Sequence, residues 1–182
     1  MPPAYFYCMI TVSNNTVKKH TIARLLGLLL FAGWSAGNVS AQVAKDSELF
    51  ITMQQYDSLF FERGFNQCDT NFLKQATDKD LVFYHDRAGI QDKSKFLENT
   101  VKYLCSDWNN KPIRKVRKET LEVYPLYNDG KLYGVVQTGV HDFYIRVPNK
   151  PDRLTGTAKF THVYLLENGN WILKEVLSFD HK

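Results

Sequence analysis

The chain has 182 residues, of which 44% are hydrophobic and 23% are charged. This composition is typical of a globular protein and excludes disordered, collagen-like and low-complexity chains. The formal net charge of +4 comes mainly from residues 1–41, which hold three basic residues and no acidic one, whereas the remaining 20 basic and 19 acidic residues nearly balance. The sequence therefore gives little reason to expect a nucleic-acid partner.

The first 41 residues have the parts of a secretory signal peptide. Basic residues precede an apolar run over residues 25–34, and small residues then lead to Ala41. The apolar run is about half as long as the ~20 residues of a membrane-spanning helix, so a membrane anchor is the less favoured alternative. We expect a signal peptide over residues 1–41, cleavage between Ala41 and Gln42, and a periplasmic or secreted single domain over residues 42–182 that no longer contacts a membrane.

The first half of the mature chain has the spacing of helices. Apolar residues recur at steps of three and four, which places them on one helix face: Leu49, Met53, Tyr56 and Phe60. Asp69 is typical of the residue that begins a second, short helix, and Asp92 or Ser94 begins a third. Between these two helices, residues 81–85 are predicted to form a short strand, which ends in a turn over residues 86–89.

The second half has the alternation of strands. Four strands are predicted, over residues 113–126, 132–147, 157–166 and 171–179. The Asn168-Gly169 pair between the last two is the strongest hairpin signal of the chain. Helices followed by strands predict an α+β fold, in which a cone-shaped, curved and mostly antiparallel sheet wraps around the N-terminal helices. Such a cone would enclose a cavity of the kind that binds small molecules.

Two cysteines, Cys68 and Cys105, remain after removal of the leader. An oxidising compartment would allow a disulfide between them, which would close a long loop and stabilise the fold by roughly 3–4 kcal/mol. Two buried free thiols are the alternative. Two cysteines alone cannot complete a tetrahedral zinc site.

Five segments, in this order and spacing, carry a family resemblance: Phe65-Asn66-Gln67-Cys68-Asp69, Phe83-Tyr84-His85-Asp86, Gly139-Val140-His141-Asp142-Phe143, Lys159-Phe160-Thr161-His162-Val163-Tyr164 and Ser178-Phe179-Asp180-His181. Over roughly residues 56–181 the chain resembles the nuclear transport factor 2-like (cystatin-like) superfamily, and within it the small bacterial exported proteins of domain of unknown function 4440 and their SnoaL-like relatives. The resemblance implies a cone-shaped α+β barrel, often dimeric through the outer face of the sheet. It implies no single activity, because the superfamily includes isomerases, dehydratases, cyclases, epoxide hydrolases and non-catalytic binding modules.

The pocket of such a cone is expected to contain strand histidines and their neighbours: His85, Asp86, His141, Phe143, His162, Ser178, Asp180 and His181. A neutral imidazole can act as an acid, a base or a hydrogen-bonding group near neutral pH, and Asp86 or Asp180 would hold its tautomer. The alternative for each histidine is a satisfied core residue, and for His181 a frayed end. Strict alternation along the last strand places Leu173 and His181 on the face opposite to Ser178 and Asp180.

Other chemistry has weaker support in the sequence. There is no His-x-His, His-x-x-x-His or Glu-x-x-His spacing for a metal, no Gly-x-Ser-x-Gly nucleophile elbow and no glycine-rich nucleotide motif. We therefore expect neither a metal nor a cofactor, and we interpret the proximity of Ser178 and His181 as a local coincidence rather than a triad. The basic run over residues 111–118 is interpreted as the solvated face of a strand. Glu175 and Asp180 are candidate bases to which no role is assigned.

These observations favour an exported domain that binds a small, partly apolar molecule in a histidine-containing conical pocket. Two alternatives remain open. The first is a cofactor-free lyase, isomerase or hydrolase that uses histidine and aspartate side chains of the pocket for proton transfer. The second is an interaction module that forms a homodimer, or docks a partner, through an exposed apolar face of the sheet.

Overall fold

Three helices occupy the first half of the computed structural model, which describes residues 41–182. They are α1 (Glu48–Leu59), α2 (Thr70–Ala76) and α3 (Lys93–Asn99); α1 and α3 continue as π-helical turns over Phe60–Asn66 and Thr100–Leu104. Each α-helix begins after a residue whose side-chain oxygen accepts a hydrogen bond from the first turn: Ser47, Asp69 and Asp92. Such a bond satisfies a backbone N–H that has no partner within the helix. The starts predicted at Asp69 and Asp92 are confirmed.

The segment interpreted as a signal peptide lies outside the described residues, apart from Ala41. Within residues 41–182, no helix is both long enough and apolar enough to cross a membrane. Export and cleavage before Gln42 therefore remain predictions from the sequence.

Seven strands form one sheet within the described residues: β1 (Thr77–His85), β2 (Gly89–Asp92), β3 (Lys111–Val116), β4 (Glu122–Asn128), β5 (Lys131–Arg146), β6 (Arg153–Glu167) and β7 (Asn170–Phe179). Their order across the sheet is β2-β1-β7-β6-β5-β3, and β4 pairs with β5 as well. Neighbours are antiparallel except for β1 and β7, which are parallel. The α+β fold is confirmed, with a curved, mixed sheet that does not close.

The strand predicted over residues 113–126 is two strands in the structure. β3 pairs with residues 141–146 of β5 and β4 pairs with residues 131–138, while a 3-10 turn over Lys118–Thr120 separates the two. The prediction of one strand is wrong: residues 117–120 are four consecutive polar residues that break the alternation and contain this turn, although no glycine or proline marks it. β2 was missed because its four residues directly precede a helix and have the composition of a turn.

The hydrophobic core lies between the helices and one face of the sheet. Helical Met53 and Phe60 pack there with Phe160, Tyr164 and Leu173 of β6 and β7. Burial of each such side chain contributes roughly 1.5–3 kcal/mol. Phe60 and Leu173 also line a cavity, so the core fixes part of the cavity wall.

Strand β7 contains a β-bulge at Lys174. Val163 of β6 pairs with Glu175 of β7, and the next residue of β6, Tyr164, pairs with Leu173. Lys174 therefore has no partner on β6. Leu173 before the bulge and Ser178 after it are both buried. The prediction that they lie on opposite faces is wrong, because the extra residue reverses the alternation.

A disulfide joins Cys68 to Cys105. Each cysteine lies just beyond a π-helical turn, so the bond ties the end of the first helical segment to the end of the third. The nearby residues Phe65 and Leu104 line the cavity. The disulfide therefore holds together two sides of the cavity wall.

Candidate functional site

A cavity of about 320 Å³ lies between the helices and the inner face of the sheet. Phenylalanine rings make up much of its wall, among them Phe61, Phe65, Phe83, Phe96 and Phe143. Polar side chains also enter the wall: His85, Gln91, Asn99, Thr100, Arg114, His141, His162 and Ser178. An apolar wall with a few polar groups, in a volume of roughly 300–1,000 Å³, is typical of small-molecule sites.

Five of the eight residues predicted for the pocket belong to this wall: His85, His141, Phe143, His162 and Ser178. Asp86 and His181 do not line the cavity but connect to Ser178 through hydrogen bonds. Asp180 lies outside, where its carboxylate forms an ion pair with Lys159 at 3.0 Å. The prediction that Asp180 lines the pocket is wrong because the backbone turns at this residue, with a left-handed φ of 59°.

Four residues with almost no solvent exposure form what we call the buried group: Asp57, Arg114, His141 and His162. The Arg114 guanidinium donates hydrogen bonds of 2.9 and 3.1 Å to the Asp57 carboxylate, and the two side chains are 2% and 0% exposed. The guanidinium carbon also lies 3.5 Å from the centroid of the Phe61 ring. A charge buried this deeply needs such a partner, because an unpaired one costs several kcal/mol. Since the two charges cancel, the pair adds no net charge to the cavity.

His141 is held in one tautomer by Arg114. The guanidinium Nε–H donates to His141 Nδ1 at 2.9 Å, so the neutral ring carries its proton on Nε2. Burial, together with the positive charge of Arg114, lowers the pKa of His141 to about 2. Nε2 is buried and has no hydrogen-bond partner among the described residues. His141, a residue of the cavity wall, thus holds a buried N–H donor for which the part of the chain that the structure describes supplies no acceptor.

His162 has the surroundings of a core histidine. Its ring stacks on Phe160 with 4.3 Å between centroids, and its Nδ1 lies 3.4 Å from the Tyr164 hydroxyl and 3.9 Å from Asp57 Oδ1. Burial, assisted by the positive charge of Arg114, lowers the pKa of His162 well below its ordinary value. His162 is therefore neutral and contributes a flat ring to the wall.

Four further polar residues lie at or just beyond the ends of β1 and β7, and we call them the edge group: His85, Asp86, Ser178 and His181. Asp86 Oδ1 lies 2.5 Å from His181 Nδ1, and His181 Nε2 lies 3.3 Å from Ser178 Oγ. The backbone N–H of His181 donates to the other Asp86 oxygen at 3.2 Å. Desolvation of the Asp86 carboxylate alone would raise its pKa. The two hydrogen bonds from His181 outweigh this effect and hold the pKa of Asp86 below its ordinary value. Carboxylate, imidazole and hydroxyl form one hydrogen-bonded chain that ends in the cavity wall.

The ends of two strands explain why these side chains meet. Strands β1 and β7 are parallel, and His85 pairs with Ser178, so both strands end at the same edge of the sheet. The left-handed turn that follows β7 returns His181 to the side on which Ser178 lies. The Lys182 backbone then exchanges hydrogen bonds of 2.9 and 3.1 Å with Thr157, and the His181 side chain is only 10% exposed. His181 is therefore neither frayed nor on the face opposite to Ser178.

His85 stacks on His181 within the edge group. The two ring centroids are 4.4 Å apart and the rings are nearly parallel, at 11°. The backbone N–H groups of Arg87 and Ala88 donate to His85 Nδ1 at 3.1 and 3.2 Å. Burial, together with the adjacent His181, lowers the pKa of His85 despite the nearby Asp86 carboxylate. His85 is accordingly a neutral ring that packs against the imidazole between Asp86 and Ser178.

The edge group also contains the one set of three side chains in residues 41–182 that could meet at a metal ion. Ligand atoms of His85, Asp86 and His181 all lie within 4.8 Å of one another, and zinc accepts such ligands. However, His85 Nδ1 already accepts two backbone hydrogen bonds, and His181 Nδ1 is bonded to Asp86. This pattern fits a histidine oriented by a carboxylate better than a metal centre.

Sequence reasoning missed Asp57 and Arg114. Asp57 follows Met53 by four residues, so a lone carboxylate on the predicted apolar helix face was a usable signal. Arg114 belongs to the basic run interpreted as solvated, yet Arg114 and Lys111 are both buried, so that interpretation is wrong for these two residues. Neither candidate base, Glu175 or Asp180, lines the cavity.

Comparison with known proteins places the fold. A scan of protein-family models and a search of curated proteins found no match. Among solved structures, ActVI-ORFA from Streptomyces coelicolor is 10% identical with a TM-score of 0.62, over 75% of this chain and 98% of that one. Aln2 from another Streptomyces species is 10% identical with a TM-score of 0.59, over 72% and 89%. A nuclear transport factor 2-like superfamily protein from Salmonella enterica is 16% identical with a TM-score of 0.53, over 73% and 92%. The protein thus has the nuclear transport factor 2-like fold, as the sequence resemblance implied.

Proposed function

We propose that this protein is an exported domain that binds a small, largely apolar molecule in the cavity. The observation that carries the proposal is a space of about 320 Å³ with a largely apolar wall to which six phenylalanine rings contribute. Sites of this size and composition bury most of the surface of a small ligand. Export itself rests on the leader sequence.

The polar end of the ligand is expected to be a neutral hydrogen-bond acceptor, such as a carbonyl oxygen. His141 Nε2–H has no acceptor among residues 41–182, and a buried donor left unpaired costs about 1–3 kcal/mol. The Arg114 charge is already matched by Asp57, so the buried group offers no free charge for an anion. Because Nε2 is covered by its neighbours, a ligand oxygen would reach it after a small side-chain adjustment.

A pair of matched variants tests the binding site. Val176 lines the cavity, whereas its neighbour Leu177 is 37% exposed. Val176→Phe places a ring in the cavity at a cost of about 1–3 kcal/mol in stability, and we expect it to lose binding of 2-acetylnaphthalene measured by fluorescence titration. Leu177→Phe should bind as the unmodified protein does. Absence of binding to the unmodified protein, or equal binding by both variants, contradicts the proposal.

A second function, cofactor-free catalysis by proton transfer, is favoured by the edge group. An imidazole that is oriented by a carboxylate and reaches a hydroxyl in the cavity wall has the arrangement of a general base. Binding and catalysis would use the same cavity, so the first experiment supports either function and an activity assay separates them.

A further inference from the structure

The geometry points to an acyl-transfer activity: we propose that Ser178 is the nucleophile of a hydrolase for small, mainly apolar carboxylic esters, with His181 as its base and Asp86 as the group that orients this base. The inference rests on the proposed function, because the ester would occupy the same cavity. The acyl-transfer inference goes beyond the proposed binding function because it names a reaction, a substrate class and the residue that forms the covalent bond.

The proton positions follow from the hydrogen bonds. The ionised Asp86 carboxylate only accepts, so His181 Nδ1, at 2.5 Å, carries the proton of that bond. In the neutral ring the other nitrogen, Nε2, then has a free lone pair, and it lies 3.3 Å from Ser178 Oγ. The serine hydroxyl therefore donates to His181. This is the protonation state that a nucleophilic serine and its base require before reaction.

His141, whose N–H could donate to the carbonyl oxygen of an ester, lies in the same part of the cavity wall as Ser178. Ser178 pairs across the strands with Phe160, and the His141 ring stacks on the same Phe160 ring, with 5.1 Å between centroids. The Phe143 ring lies 4.6 Å from that of His141 and 6.0 Å from that of His181. A carbonyl group held in this part of the wall would lie beside the Ser178 hydroxyl, and the His141 Nε2–H, which its neighbours cover, would become its donor after a small side-chain adjustment. Donors of this kind stabilise the oxyanion that forms when an ester is attacked.

The reaction requires only the ester and water. Ser178 Oγ forms a bond to the carbonyl carbon while its proton passes to His181 Nε2. The tetrahedral intermediate then breaks its bond to the alcohol oxygen, and this oxygen takes the proton from His181. Water attacks the acyl-serine and gives a proton to His181, which returns it to Ser178 Oγ as the carboxylic acid leaves. One ester and one water thus give one acid and one alcohol, with no oxidant or metal required.

Diisopropyl fluorophosphate and 2-naphthyl acetate test this assignment on the full mature chain. We expect the fluorophosphate to modify Ser178, as located by peptide mass spectrometry, and to stop hydrolysis of the naphthyl ester. Ser178→Ala should abolish both labelling and hydrolysis while retaining binding of 2-acetylnaphthalene. Asp86→Asn and His181→Asn should each lower the hydrolysis rate by about 10²-fold or more, and Ser106→Ala, which removes an exposed hydroxyl, should change nothing.

The two proposals fail in different ways. If 2-acetylnaphthalene binds but Ser178 is neither labelled nor needed for ester hydrolysis, the acyl-transfer inference is overturned and the binding function stands. If hydrolysis persists in Ser178→Ala at the original rate, another group carries it and the inference is likewise overturned. If the unmodified protein does not bind 2-acetylnaphthalene, both the binding function and the acyl-transfer inference are overturned. Should Asp86→Asn fail to fold, His181→Asn supplies the same comparison.

Discussion

The buried group and the edge group both contain two histidines, but their surroundings differ. In the buried group, Asp57 and Arg114 neutralise one another, and burial keeps the histidines neutral. In the edge group, solvent reaches the Asp86 carboxylate, which is 33% exposed, whereas the His181 side chain is 10% exposed. The comparison teaches that residue type alone does not define a role: the imidazoles of the buried group are fixed for shape and hydrogen bonding, whereas in the edge group the His181 imidazole lies between a carboxylate and a hydroxyl.

The largest expected effect is the loss of the buried ion pair. Asp57→Asn leaves the Arg114 charge without a counter-charge, and we expect unfolding to require about 3–5 kcal/mol less free energy in urea titrations. Asp86→Asn, a change of the same size in the edge group, should cost much less because solvent reaches its carboxylate. Equal losses in the two variants would remove the distinction between the groups.

Removal of the disulfide should increase the mobility of the cavity wall while the contacts within the buried group remain. The double variant Cys68→Ser, Cys105→Ser is expected to lose roughly 3–4 kcal/mol through the loop entropy of the unfolded chain. Hydrogen exchange should accelerate most in Phe60–Asn66 and Thr100–Leu104, the segments that the bond connects. Faster exchange confined to α1 would show that the bond supports a different part of the fold.

Acidification should weaken the fold through the neutral histidines. The pKa of His141 is lowered to about 2 from an ordinary value of 6.5, and those of His85 and His162 are lowered too. As the pH falls through 6.5, these three histidines take up protons more readily in the unfolded chain than in the folded one, so the stabilisation is complete above that pH and is lost as the pH falls. His141 alone accounts for about 2 kcal/mol between pH 6.5 and 5. Urea titrations should show a smaller pH dependence in His141→Gln, and an unchanged dependence would contradict this assignment.

The smallest expected effect concerns ligand selectivity. A ketone, 2-acetylnaphthalene, should bind about tenfold more tightly than 2-isopropenylnaphthalene, which has the same shape but no oxygen, because only the ketone satisfies His141. The preference should disappear in His141→Phe. It should persist in part in His141→Gln, whose amide can both accept from Arg114 and donate to the ketone. Retention of the full preference in His141→Phe would assign the oxygen to another donor.

The sequence predicted the fold and much of the wall because these depend on local patterns. Helix starts such as Asp69, and the alternation along β5 and β6, can be recognised within a few residues. The pairing of Asp57 with Arg114 could not be predicted, since it joins residues that are distant in sequence and of types usually found at the surface. The bulge at Lys174 and the turn after β7 reverse the alternation on which the prediction for Ser178 and His181 depended.

The parallel pairing of β1 with β7 has a consequence for how the protein forms. His85 is aligned with Ser178, about 90 residues later, so the edge group can assemble only when the C-terminal strand β7 is available to pair. Contacts of such long range slow folding because a large loop must close before they stabilise the chain. We expect the helices and the β5–β6 hairpin to gain structure first, and the edge group to be the last part of the fold to form.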